Sequence, residues 1–130
     1  MTAYLVREIV RRNIPVLSPD TPIRQAAFAL VDAKADAAPV VDDDGVLVGI
    51  LSQRDCFRPA LHASYHRQWT GRVMDQMSRD VVSIEVEEEI IRAAEMFLMH
   101  PHRVFPVLNS NQIEGLLYRS EVLRFLIHFG

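Results

Sequence analysis

The chain has a single cysteine, Cys56, so no internal disulfide is available and the thiol fits a reducing compartment. It contains no run of about 18 apolar residues, the length a membrane-spanning helix requires. Arg7 and Glu8 fall where a secretory leader needs its apolar stretch, so a cytoplasmic location is expected. Nucleotide-binding glycine signatures are missing as well. There is no Gly-x-x-x-x-Gly-Lys-Ser/Thr, no Gly-x-Gly-x-x-Gly and no Ser-His-Asp arrangement, and an enzyme is not expected. Positive charge is scarce: 14 Lys and Arg stand against 17 Asp and Glu, for a formal net charge of −3. A partner held by its phosphates needs a basic face, so nucleic-acid binding is disfavoured. The one local basic cluster is Arg7, Arg11 and Arg12.

What the chain does have is ordinary globular composition and a duplication. Apolar residues make up 49% and charged residues 24% of 130 residues, enough for one compact domain but marginal for either half alone. Residues Ala38–Asp55 and Phe105–Glu121 carry nearly the same text. Pro39 and Pro106 are 67 positions apart, as are Ile23 and Ile90, or Ala26 and Ala93. Gly49 and Gly115 are 66 apart, so the second copy has lost one turn residue. Repetition at this period implies two similar units, here 1–65 and 66–130, that bury a shared face and offer a groove between them.

Each copy carries the same order of signals. A short apolar stretch, Ile14–Leu17 or Val81–Ile84, leads to a helix start. In the first copy Thr21 reads as N-cap and Pro22 as the first helical residue. In the second, Glu85–Glu89 places acids at the positive end of a helix dipole. An amphipathic helix follows, with Ile23, Ala26, Ala27, Leu30 and Val31 matched by Ile90, Ala93, Ala94, Phe97 and Leu98. Two strands then form a hairpin: Ala38–Val41 and Val46–Leu51 around Asp42-Asp43-Asp44-Gly45, or Val107-Leu108 and Ile113–Leu117 around Asn109–Gln112. A closing helix covers 54–62 or 120–129. The stretch Val73–Met77 parallels the neighbourhood of Leu5–Val10, so each repeat opens with a short helix.

This order, a β-α-β-β-α unit given twice, resembles a tandem pair of cystathionine-β-synthase (CBS) domains, a Bateman module. The resemblance rests on Val73-Met74-Asp75-Gln76-Met77-Ser78-Arg79-Asp80-Val81-Val82, on the Ala-Pro-Val-Val-Asp-Asp-Asp-Gly turn and on Gly49-Ile50-Leu51-Ser52-Gln53-Arg54-Asp55. It covers essentially the whole length. It implies an α/β fold of α+β type, with two repeats packed in pseudo-twofold symmetry. It further implies a homodimer and an adenosine-containing ligand (AMP, ADP, ATP or S-adenosylmethionine) in the cleft between repeats. No cofactor is required beyond that regulatory ligand.

By the same resemblance, Ser52 and Asp55 contact phosphate and ribose. A carboxylate accepts two charge-assisted bonds from adjacent ribose hydroxyls, and a serine beside helix-start N–H groups suits a phosphate. Ser-x-x-Asp is equally a helix-capping pattern, and the two roles are compatible. Asp55 is expected to work with Val82, Ser83, Val104 and Phe105 of the other repeat, where backbone groups read the adenine edge. Arg54, His102 and Arg103 are phosphate candidates, though basic residues at a helix C-terminus also favour its dipole. His102 contributes charge only when protonated. A second, weaker site is implied at Val16, Ala37, Ala38, Tyr118 and Glu121. There Tyr118 replaces the serine and Glu121 the aspartate, so the site is expected to be degenerate or altered.

Other features read as structure. His100-x-His102 lacks the further ligands a metal needs, so no metal site is expected. Cys56 beside an acid reads as an inert thiol. Asp42–Asp44 lacks the pattern of a calcium loop. Tyr65 and Trp69 read as a cover for the core or a partner anchor. Phe57, Leu61, Leu123, Leu126, Ile127 and Phe129 are expected to form an apolar dimer face. The function expected is a non-catalytic regulatory module whose output passes to another protein or a second copy. The alternative is a structural interaction module with degenerate pockets.

Overall fold

The computed structural model describes residues 3–129. They form two compact units: Ile14–Val81, and the chain up to Asn13 together with the chain from Val82 onward.

In the Ile14–Val81 unit, α1 (Ile23–Asp32) buries Ile23, Ala26 and Leu30 of the expected apolar stripe, whereas Ala27 is half-buried and Val31, at the stripe's edge, is exposed. The helix starts one residue later than Thr21 and Pro22 suggest, with Pro22 as an extended N-cap and no side-chain cap. The cause is tertiary. Val73 donates to the Thr21 carbonyl, Ile23 donates to Gly71, and Pro22 bridges to Arg72, so this backbone is held extended. Strands β1 (Ala37–Val41) and β2 (Leu47–Ser52) pair antiparallel. The expected strand at Ile14–Leu17 contracts to one parallel bridge between Leu17 and Val40. The acidic turn explains itself: Asp42 Oδ1 accepts from the N–H groups of Asp44 and Val46, each at 2.9 Å, and Gly45 takes φ +81°. After β2 a 3₁₀ turn (Arg54–Cys56) feeds α2 (Phe57–His66), which ends where Arg67 turns left-handed at φ +57°. The closing helix therefore runs on to His66, past its expected end at residue 62. A short α3 (Val73–Gln76) follows.

The other unit holds β3 (Ile84–Glu85), α4 (Ile90–Met99), β4 (Val104–Asn109), β5 (Gln112–Tyr118) and α5 (Arg119–Phe129). Here the first strand survives, with β3 parallel to β4 and β4 antiparallel to β5. Ser110 and Asn111 close the hairpin with φ +51° and +67°, the two left-handed residues of a two-residue primed turn. This tighter turn accounts for the missing residue and extends both strands beyond their expected ends.

The opening segments are exchanged between the halves. Val73 and Met74 donate to the carbonyls of Thr21 and Pro19, within the unit that contains α1. Their counterparts, Val6 and Arg7 of a 3₁₀ turn at Val6–Glu8, donate to Glu88 and Val86 beside α4. A carboxylate closes each start: Asp75 accepts from Arg72 N–H at 2.8 Å, and Glu8 from Leu5 N–H at 2.7 Å. Val6 and Val73 are both fully buried, so each core is sealed by a valine from the other copy's text.

Two glycines mark where these segments cross the sheets. Arg11 and Leu116 exchange backbone hydrogen bonds at 2.9 Å, and Ser78 and Ile50 do the same at 2.9 and 3.0 Å. A Cβ on Gly115 would lie 2.2 Å from the Arg11 carbonyl oxygen; one on Gly49 would meet Met77 Sδ at 2.7 Å and Ser78 O at 2.9 Å. The close approach requires glycine in both copies. Each hairpin also carries a register shift at the same place, after Val40 and after Val107.

Candidate functional site

At the end of β2, Ser52 and Asp55 cap each other. The Ser52 N–H donates to Asp55 Oδ2 at 2.9 Å, and the Asp55 N–H donates to Ser52 Oγ at 3.2 Å. This reciprocal pair is the capping pattern read from Ser-x-x-Asp. It fixes the carboxylate in place and leaves its other oxygen, Oδ1, without a hydrogen bond to the described residues. Gln53 Nε2 donates to the Ala35 carbonyl at 2.9 Å, tying the turn to the approach to β1. Spacing gave no hint of that support, because its partner lies 18 residues away. Arg54 is exposed and makes no ion pair among the described residues.

Cys56 follows on the same turn. It is buried and its thiol donates to the Ser52 carbonyl at 3.6 Å. Burial pushes the thiol pKa up, and the Asp55 carboxylate adds to the effect. The folded protein thus favours the neutral thiol. Its contribution to stability is present below the ordinary thiol pKa and is lost as pH rises above it. Ellman's reagent is expected to react slowly with the folded protein at about pH 8 and promptly after unfolding in denaturant. Equal rates would refute this reading.

A cavity of about 180 Å³ opens beside this thiol, between Ala27 and Val31 of α1, Phe57 and Ala60 of α2, and Trp69. Trp69 also packs against the unit's core, as its reading as a cover anticipates, whereas Tyr65 is exposed.

The remaining residues of the first candidate set lie in the other unit. Val82 and Ser83 are half-buried before β3. His102 and Arg103 follow α4, with Arg103 exposed and His102 Nδ1 buried without a hydrogen-bond partner. Phe105 is fully buried and stacks on Phe97 at 4.1 Å between ring centroids, so it belongs to the core and not to an open ligand surface, contrary to its expected adenine contact. Val104 pairs with Tyr118 in the β4–β5 ladder.

Of the weaker set, Ala37 and Ala38 are buried in β1, with Ala37 opposite Ser52, and Val16 is half-exposed. Tyr118 carries the Arg11 guanidinium 4.5 Å over its ring, a cation–π contact. Glu121 lies 3.9 Å from Arg124. Both positions that replace the serine and aspartate are thus engaged by arginines.

The arginines of the N-terminal basic cluster are engaged in the same way. Arg7 pairs with Glu87, Arg12 Nε donates to Glu114 at 2.7 Å, and Arg11 covers Tyr118. The bond from Arg12, helped by Asn109, holds the Glu114 carboxyl below the usual carboxylate range. Three committed arginines do not make a phosphate-binding face. Among the described residues no helix is long and apolar enough to cross a membrane.

A family model described as CBS domain matches residues 6–61 and again 71–128. Among solved structures, CBSX2 from Arabidopsis thaliana, a CBS-pair protein, superposes with a TM-score of 0.81 at 27% identity, covering 98% of this chain and 96% of that one. CBSX2 in complex with AMP gives 0.80 at 27% identity over 96% and 97%. Among sequences, protein MJ1225 of Methanocaldococcus jannaschii is 23% identical over 93% of this chain and 42% of its own length. Inosine-5′-monophosphate dehydrogenase of the same organism is 28% identical over 90% of this chain. The chain spans only 22% of that dehydrogenase and less than half of MJ1225.

Proposed function

This chain belongs to the CBS-domain family, and from that premise we propose that it is a non-catalytic regulatory module binding an adenosine-containing ligand. The observation that carries the proposal is the Ser52–Asp55 turn. A carboxylate is held rigidly by its own cap, with one oxygen unpaired, next to an uncommitted Arg54. A ribose diol and a phosphate are what such a pair of groups recognises. AMP bound to CBSX2 supports the same ligand class. Val82, Ser83, His102, Arg103 and Val104 are the further proposed contacts. Val16, Ala37, Ala38, Tyr118 and Glu121 make the altered site. A regulatory output needs only that the ligand bind two conformations unequally.

Calorimetric and thermal-shift titration with AMP, ADP, ATP, S-adenosylmethionine and NAD tests this reading. At a free ligand concentration about 100 times Kd, stabilisation of about 2.7 kcal/mol is expected for the true ligand. No response to any of them in nucleotide-stripped protein at millimolar concentration sinks the proposal. That outcome favours the second reading, an interaction module, which the arginine-covered Tyr118 and Glu121 support.

The proposal includes a homodimer. Phe57 and Leu61 of α2 are 64% and 56% exposed; Leu123 and Ile127 of α5, each 66 positions further on, are 59% and 71% exposed. Phe129 is exposed too, whereas Leu126 packs against its unit's core. Apolar surface repeated at matching positions suits burial against a second copy. Sedimentation at micromolar concentration is expected to give the mass of two chains; a single-chain mass refutes the dimer.

A further inference from the structure

We propose that His62 and His66 form a chelating site for a late first-row divalent cation, binding Cu²⁺ most tightly and Zn²⁺ less so. The two residues are four apart on α2, which places both rings on one helical face. Their centroids are 4.4 Å apart with planes tilted by 39°. Two imidazole nitrogens that bind one ion, at about 2.0–2.1 Å each, must lie about 3 Å apart, a separation these neighbouring rings reach by side-chain rotation. Both histidines are exposed, and neither ring makes a hydrogen bond or ion pair with the described residues, so no partner has to be surrendered.

Imidazole donors select copper, nickel and zinc over magnesium and calcium. Among the described residues no group of three or more His, Cys, Asp or Glu gathers as a metal site. The pair therefore supplies two coordination positions and water the rest. The other neighbouring histidines lack this geometry. His100 and His102 are 5.6 Å apart with planes at 80°, and His102 Nδ1 is buried. Because the two nitrogens converge only while residues 62–66 are helical, the bound ion clips the last turn of α2, next to the left-handed Arg67. Its affinity is then partly stability of that turn.

Trp69, the only tryptophan, lies three residues beyond His66 and is expected to report on occupancy. Cu²⁺ titration of the full chain is expected to quench its fluorescence saturably at one equivalent, and excess Zn²⁺ is expected to restore the signal. His62→Ala and His66→Ala should each abolish saturation over the concentrations at which wild type saturates, with metal-free melting temperatures unchanged because both side chains are exposed. The double variant His100→Ala/His102→Ala should titrate as wild type. Quenching that persists in both α2 variants, or that disappears only in the His100/His102 variant, overturns the proposal.

Discussion

Gly115→Ala is expected to melt roughly 10 °C below wild type, reflecting a loss of about 3 kcal/mol, the upper end for forcing an extra methyl into a packed site. The added Cβ falls 2.2 Å from the Arg11 carbonyl oxygen and 2.9 Å from its carbonyl carbon. Both are backbone atoms, and Arg11 is fixed to Leu116 by two hydrogen bonds of 2.9 Å. Relief therefore means breaking that bridge and withdrawing the segment that carries buried Val6 and Val10. The same substitution in the other copy costs less. At Gly49 the nearest atom is the Met77 sulfur, at 2.7 Å, and an unbranched thioether swings aside. About half the loss is expected there, since Ser78 O at 2.9 Å still has to yield. Thermal or urea melts of the two variants check the ranking, and equal stabilities would refute it.

Asp55→Asn is expected to weaken binding of the adenosine ligand on the order of 100-fold while leaving the ligand-free protein within about 0.5 kcal/mol of wild type. The two numbers separate the roles of one side chain. As a cap, Asp55 needs only an acceptor oxygen for the Ser52 N–H, and asparagine supplies one. As a ribose ligand it needs charge, because two hydroxyl bonds to a carboxylate are each about twice as strong as bonds to an amide. Ser52→Ala is the complementary variant. It removes the acceptor of the Asp55 N–H and costs about 1 kcal/mol of stability in the ligand-free protein. Calorimetry on Asp55→Asn decides the assignment: unchanged affinity removes Asp55 from the site and directs attention to Glu121.

Much of the architecture was readable because it was written twice. The spacing of Ile23, Ala26, Ala27, Leu30 and Val31, matched by Ile90, Ala93, Ala94, Phe97 and Leu98, located α1 and α4; Ile23, Ala26, Leu30, Ile90 and Ala93 are buried, whereas Val31 and Leu98 at the stripe's edge are exposed. The turn residues located both hairpins. What periodicity could not supply was anything decided by a distant partner. Pro22 reads as a helical first residue until Gly71 and Arg72 claim the neighbouring backbone. Ile14–Leu17 reads as a strand, yet a single bridge is all that forms. Within the candidate site, the Ser52–Asp55 pair was legible as chemistry because both partners are local. The Gln53 link to Ala35 and the Arg11 cover on Tyr118 were not, because each joins residues far apart in sequence. Arg7, Arg11 and Arg12 read as a basic cluster in the sequence, but their engagement by Glu87, Tyr118 and Glu114 is not visible there.

The exchanged opening segments decide where this chain can be cut. A fragment ending at residue 65 follows the repeat in the text but leaves the core around Ile23 and Leu30 without Val73. A fragment 14–81 disregards the repeat and keeps that core intact. The unit of duplication and the unit that could be excised are therefore out of phase, related as circular permutants are. Each copy of the repeat carries its sealing valine on an opening segment that packs against the other copy's core. A lone copy could close its core by trading its opening segment with a twin, a domain swap that duplication makes permanent by joining the two partners in one polypeptide.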